Sequence, residues 1–145
     1  MPYVESSIDI QGKRENVYEL AKDMEKFPQY MPDVSSVKVV ERNGNSTVTE
    51  WETLVEDIPI TWKEIDEFDD TGLNIKYRLI EGDLDKFEGV WKFEDANGAT
   101  RVTLTVDFDF GMPTLADLIG PVLEMKVREN SMMMLEAIKK KIETG

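Results

Sequence analysis

The sequence predicts an α+β protein in which a curved antiparallel sheet of about seven strands wraps one long C-terminal helix. Three observations carry this. Residues 34–110 alternate with period two between turn signals; residues 114–143 carry apolar side chains at the helical period of about 3.6; and only short helical patterns separate the first strand from the sheet. A sheet that is apolar on one face and a helix that is apolar on one stripe bury each other economically when the sheet curls around the helix.

Residues 3–10 read as the first strand. Residues 14–26 then place Val17, Leu20, Ala21 and Met24 at helical spacing, which predicts a short amphipathic helix. In Phe27-Pro28-Gln29-Tyr30-Met31-Pro32-Asp33 two prolines fall within seven residues, so a compact turn or a short broken helix is expected there. Beyond it, Asn43-Gly44, Asp69-Asp70-Thr71-Gly72, Glu81-Gly82-Asp83 and Asn97-Gly98 punctuate the alternating runs, with a weaker break at Glu56-Asp57-Ile58-Pro59. These breaks give about six strands in a meander, and with the first strand a seven-stranded sheet. No linker or repeat divides the chain, and residues 1–145 are expected to form one domain.

Alternation also assigns faces. Leu73, Ile75, Tyr77 and Leu79 share one face, as do Phe87, Gly89, Trp91 and Phe93, and then Val102, Leu104, Val106 and Phe108. Residues 58–68 break the rule, because Glu64 and Asp66 share the parity of Ile58, Ile60, Trp62 and Phe68. In the strand before it, Trp51 shares a face with Thr47, Thr49, Thr53 and Val55.

On the long helix, Leu115, Ile119, Val122, Leu123, Met133, Met134 and Ala137 form a stripe in which Lys126 and Asn130 also fall. Polar groups on a buried stripe are costly unless something polar or wet lies opposite. Thr114 with Asp117 three residues later reads as a capping box that starts the helix. Gly120-Pro121 then either bends the helix, leaving 115–119 as a mobile cover, or marks its true start.

The chain has no cysteine and no histidine, which removes disulfides, thiol chemistry, the commonest general base and the commonest transition-metal ligand. No acidic triplet has calcium-loop spacing, and neither a metal nor a cofactor is expected. With 17 basic and 30 acidic residues, the net charge of −13 repels phosphate backbones and anionic membranes. The expectation is a cytoplasmic monomer or weak dimer with no nucleic-acid partner, no signal peptide and no stable membrane insertion.

The order of elements resembles the helix-grip fold of START-like (Bet v 1-like) domains. Three segments are similar to the polyketide cyclase/dehydrase and coenzyme-Q-binding (SRPBCC) branch of that superfamily: Leu20-Ala21-Lys22-Asp23-Met24-Glu25-Lys26-Phe27-Pro28-Gln29-Tyr30-Met31-Pro32, Phe87-Glu88-Gly89-Val90-Trp91-Lys92-Phe93-Glu94, and Asn97-Gly98-Ala99-Thr100-Arg101-Val102-Thr103-Leu104. The resemblance implies a largely apolar cavity between sheet and terminal helix for a hydrophobic small molecule. Trp51, Trp62, Glu64, Tyr77 and Trp91 from the sheet, and Leu115, Ile119, Leu123, Lys126 and Asn130 from the helix, would line it.

Each polar candidate has a plainer alternative. Lys126 could lie at the edge of the stripe with its ammonium in water, Asn130 could bond a backbone group, and Glu64 could pair with Lys126 or turn outward through a bulge. Three functions follow. The first is binding or carriage of a lipid, quinone or polyketide. The second is a polyketide aromatase/cyclase, for which Lys126, Glu64 and Tyr77 are the available proton-transfer groups, since Arg78, Arg101 and Arg128 read outward. The third is a protein-interaction role of the ribosome-associated type.

Overall fold

The structure, a computed structural model, describes residues 3–55, 58–109 and 113–144, except for the side chains of residues 55, 58, 113–120 and 123. In chain order it comprises β1 (Tyr3–Ile10), α1 (Arg14–Lys22), a 3-10 turn (Met24–Lys26), α2 (Phe27–Tyr30), β2 (Val34–Asn43), β3 (Ser46–Val55), β4 (Ile58–Asp69), β5 (Asn74–Gly82), β6 (Lys86–Ala96), β7 (Ala99–Asp109) and α3 (Pro113–Thr144). The strands form a single antiparallel sheet in the order β1-β7-β6-β5-β4-β3-β2. This is the helix-grip fold: a meander from β2 to β7, with β1 added beside β7 and the short helices spanning the gap between β1 and β2.

The helical pattern over 14–26 resolves into two pieces. The α1 helix ends at Lys22, and the next turn tightens to 3-10 before Phe27-Pro28 opens α2, with proline in its first turn, where no amide hydrogen is required. Val17, Tyr18, Ala21, Met24 and Phe27 are buried against the sheet. Tyr18 donates a hydrogen bond to Asp70 at 2.6 Å and Lys22 pairs with the same carboxylate at 2.9 Å, fastening α1 to the β4–β5 turn.

Gly89 sits where two strands come too close for a side chain. The Tyr77 hydroxyl crosses over it to donate to the Thr105 carbonyl at 2.6 Å, and the next amide, that of Val90, donates to the Thr105 hydroxyl at 2.9 Å. A Cβ at Gly89 would strike the Thr105 carbonyl.

The α3 helix differs from its expected phase and start. It begins at Pro113, so Thr114 is the second helical residue and not the cap, and Pro121 lies inside the helix. Leu135 and Ile138 are fully buried, Ser131 nearly so, and Val127, Met134 and Ile142 pack partly against the core. Val122, placed on the stripe by sequence, is 50% exposed. The buried face is therefore centred about one residue further along than the stripe, a rotation of roughly 100°. Leu115, Ile119 and Leu123 lie outside the described side chains.

If Leu135 and Ile138 hold α3 to the sheet, Leu135→Ala is expected to lower stability by about 2–5 kcal/mol in urea unfolding. Met125→Ala, at a residue 48% exposed, is expected to change it by less than about 0.5 kcal/mol. Equal effects at the two positions would contradict this packing.

Candidate functional site

The antiparallel register of β3 and β4 sets Trp51 directly opposite Trp62, Thr49 opposite Glu64 and Thr47 opposite Asp66, all turned to the concave face. The two indoles stack with ring centroids 5.5 Å apart and planes 8° from parallel. Cross-strand pairs at this spacing are the natural unit of sheet packing, and here the unit includes two acids.

Those acids are deeply buried: Glu64 is 3% exposed and Asp66 is 0% exposed. The Trp62 indole N–H donates to Glu64 Oε1 at 2.8 Å. Thr49 and Thr47 donate their hydroxyls to Asp66 Oδ2 at 2.6 and 3.3 Å, and the Trp51 indole N–H donates to the Thr49 hydroxyl at 2.8 Å. Asp66 Oδ1 is buried and receives no bond from any fixed N–H or hydroxyl among the described residues.

Burial raises the Glu64 carboxyl well above the usual carboxylate range, and the neighbouring Asp66 charge raises it further against the opposing Trp62 bond. Asp66 is raised by burial, while hydrogen bonds from Glu64, Thr49 and Thr47 hold it back. Two carboxyl groups this close in an apolar setting cannot both ionise, so the pair holds one proton. Glu64, the more strongly raised of the two, holds that proton first and shares it with Asp66 through a carboxyl–carboxylate hydrogen bond. Tyr77 is pushed up by burial and then by the Glu64 and Asp66 charges, so its hydroxyl stays neutral and remains committed to Thr105.

Glu64 faces a cavity of about 110 Å³ between the sheet and α3. Against the roughly 10–15 Å³ that admits a single water, this is room for a small molecule of one or two rings. Trp51, Thr53, Ile60, Trp62, Glu64, Tyr77, Leu84, Phe87, Trp91, Leu104 and Val106 line it from the sheet side, and Val127, Asn130, Ser131 and Met134 from α3.

Of the residues expected at the site, Trp51, Trp62, Glu64, Tyr77, Trp91 and Asn130 thus lie together on this wall. Lys126 is not on the described wall: its ammonium is 3.5 Å from Glu129, three residues along the same helix, and its side chain is 25% exposed. The rotation of α3 that brings Val127 and Ser131 inward carries Lys126 to the edge, so Glu64 has the Trp62 indole and not a lysine as partner. Asp66 was not singled out as a site residue, although its parity and the threonine opposite it were available signals. The contributions of Leu84, Val127 and Ser131 depend on how a turn and a helix dock, which leaves no mark in periodicity. Among the described residues, no group of three or more acids is placed to hold a metal ion.

A model of the family described as polyketide cyclase/dehydrase and lipid transport matches residues 10–135. A Thermus thermophilus protein of known crystal structure is 31% identical, with 99% of this chain and 98% of that one superposed at a TM-score of 0.94. The Zhui aromatase/cyclase of Streptomyces sp. R1128 is 22% identical over 97% of this chain and 93% of its own, at a TM-score of 0.89. The ribosome association toxin RatA of Escherichia coli K12 is 22% identical over 111 residues, which cover 76% of this chain and 70% of that protein.

The raised carboxyls predict a pH dependence. The folded state keeps a proton that the unfolded chain releases above about pH 4–5, so the pair's contribution to stability is fully present below that range and is lost as pH rises, by about 1.4 kcal/mol per pH unit for each proton, until the folded-state value is passed. Glu64→Gln cannot ionise and is expected to remove most of this slope. Urea midpoints measured from about pH 5 to 8 should show the variant gaining on the parent as pH rises; parallel curves would show that Glu64 is not the titrating group.

Proposed function

Because the chain belongs to the polyketide cyclase/dehydrase and lipid transport family, we propose that it binds a hydrophobic small molecule, of the lipid, quinone or polyketide kind, in the cavity between sheet and α3. The observation that carries this reading is the cavity itself, walled by Trp51, Trp62, Tyr77, Phe87 and Trp91 with few polar groups among them. A flat apolar ligand in a space of this size would meet lining atoms on both faces, which is the kind of contact that dispersion rewards.

Cyclisation in the same cavity would need a base as well as an acid. Of the three candidate groups, Lys126 is off the described wall, the Tyr77 hydroxyl is occupied by Thr105, and Glu64 alone remains. Binding is therefore the reading this wall supports best. A ribosome-associated role is suggested by the name of one relative, and the net charge of −13 opposes direct contact with RNA.

An organic extract of the purified protein, or its native mass spectrum, is expected to contain a hydrophobic molecule. The tryptophans on the wall are expected to report its return by a change in fluorescence. Met134→Trp, which fills the cavity from α3, is expected to weaken uptake about tenfold or more with the fold retained. Full uptake by a folded variant would place the ligand elsewhere.

A further inference from the structure

The polar groups on the cavity wall differ in what they can offer a ligand. Of the three indole N–H groups on the wall, those of Trp62 and Trp51 are given to Glu64 and Thr49, the Tyr77 hydroxyl is given to Thr105, and the Trp91 indole N–H is given to no described residue. No lysine or arginine lies on the described wall. What remains is the Glu64 carboxyl, backed by Asp66, together with the Trp91 indole and the neutral side chains of Thr53, Asn130 and Ser131. The wall's charged group is therefore an acid, which no cation on the described wall offsets, and its other polar groups are neutral.

We propose that the Glu64–Asp66 pair selects ligands whose polar end is a hydrogen-bond donor, a protonated amine above a neutral hydroxyl, and turns away ligands that end in a carboxylate. The proposal rests on the cavity being a ligand site and specifies the chemistry of that ligand. The pair can answer a donor without changing its total charge. As the ligand approaches, the O–H bond of Glu64 breaks and one to Asp66 Oδ1 forms, so the single proton moves inward and the negative charge moves to the carboxylate that faces the cavity. Glu64 then accepts from the ligand while still accepting from Trp62.

The surroundings favour the same ligand. Trp51 and Trp62 form a stacked pair, with Phe87 5.1 Å from Trp62 and 5.6 Å from Tyr77, ring centroid to centroid. Aromatic faces carry negative potential and attract cations within about 6 Å. The other charges that act on Tyr77, those of Glu88 and Asp107, are also negative. A carboxylate ligand would add a further negative group beside a buried acid pair.

The test uses three two-ring probes of one shape, naphthylmethylamine, naphthylmethanol and naphthoate, titrated into the full chain at about pH 7 with tryptophan fluorescence and calorimetry as readouts. The amine is expected to bind about tenfold more tightly than the alcohol, as a charge-assisted bond to a buried carboxylate implies, and naphthoate most weakly. Glu64→Gln is expected to keep the alcohol and bring amine and alcohol within about threefold of each other. Glu64→Met, which removes the carboxyl altogether, is expected to do the same and serves if the first variant does not fold.

Naphthoate binding as tightly as the amine overturns the proposal. So does a preference for the amine that survives in both variants, because the overall charge of −13 would then be its source. Binding of all three probes without discrimination overturns the donor preference and leaves the cavity as a ligand site. Failure of all three to bind overturns both.

Discussion

A wide sheet with one apolar face must be covered by a single narrow helix, and the rest of the structure follows from that mismatch. Seven strands at about 4.8 Å spacing span some 30 Å, whereas a helix with its side chains is about 10 Å across. Curling the sheet narrows the difference without closing it. The α3 helix packs chiefly against β1 and to a lesser extent β7, while α1 and α2 approach β6 and β2. The concave face of β3 to β6 is left between them, and there the aromatic wall and the two acids are found.

The position of the acids follows from sheet geometry. Side chains two apart on one strand share a face, so Trp62, Glu64 and Asp66 must all turn inward together if Trp62 and Phe68 are to be buried. Their burial is made tolerable by what stands opposite. Thr47 and Thr49 supply hydroxyls, Trp62 supplies an indole N–H, and the pair itself supplies the last hydrogen bond by keeping one proton. An apolar cavity can hold an acid pair on these terms, and the pair in turn gives the cavity an orientation.

Much of this was legible in the chain. Period-two alternation and turn residues placed β2 to β7, and the odd parity of Glu64 marked the strand that carries the site. The helix was harder to read. Met132, Met133 and Met134 cover more than half the circumference of a turn, so several phases of α3 look equally apolar, and the buried line through Ser131, Leu135 and Ile138 is not the most hydrophobic-looking choice. With the phase one residue away, Lys126 looked like a cavity residue when it lies at the edge beside Glu129.

By itself, then, the sequence determined what alternation, turn chemistry and composition can determine: an antiparallel sheet with one apolar face, a terminal helix to cover it, and a misplaced acid on β4. These are local properties, set by the backbone period of 2 or about 3.6 residues and by the residues that interrupt it. Only the tertiary structure decided which face of α3 meets the sheet, that Lys126 is not Glu64's partner, and that Asp66 lies beside Glu64 with an oxygen that no described N–H or hydroxyl reaches. Those depend on docking distances and on desolvation, which arise between elements far apart in the chain and leave no periodic trace within any one of them.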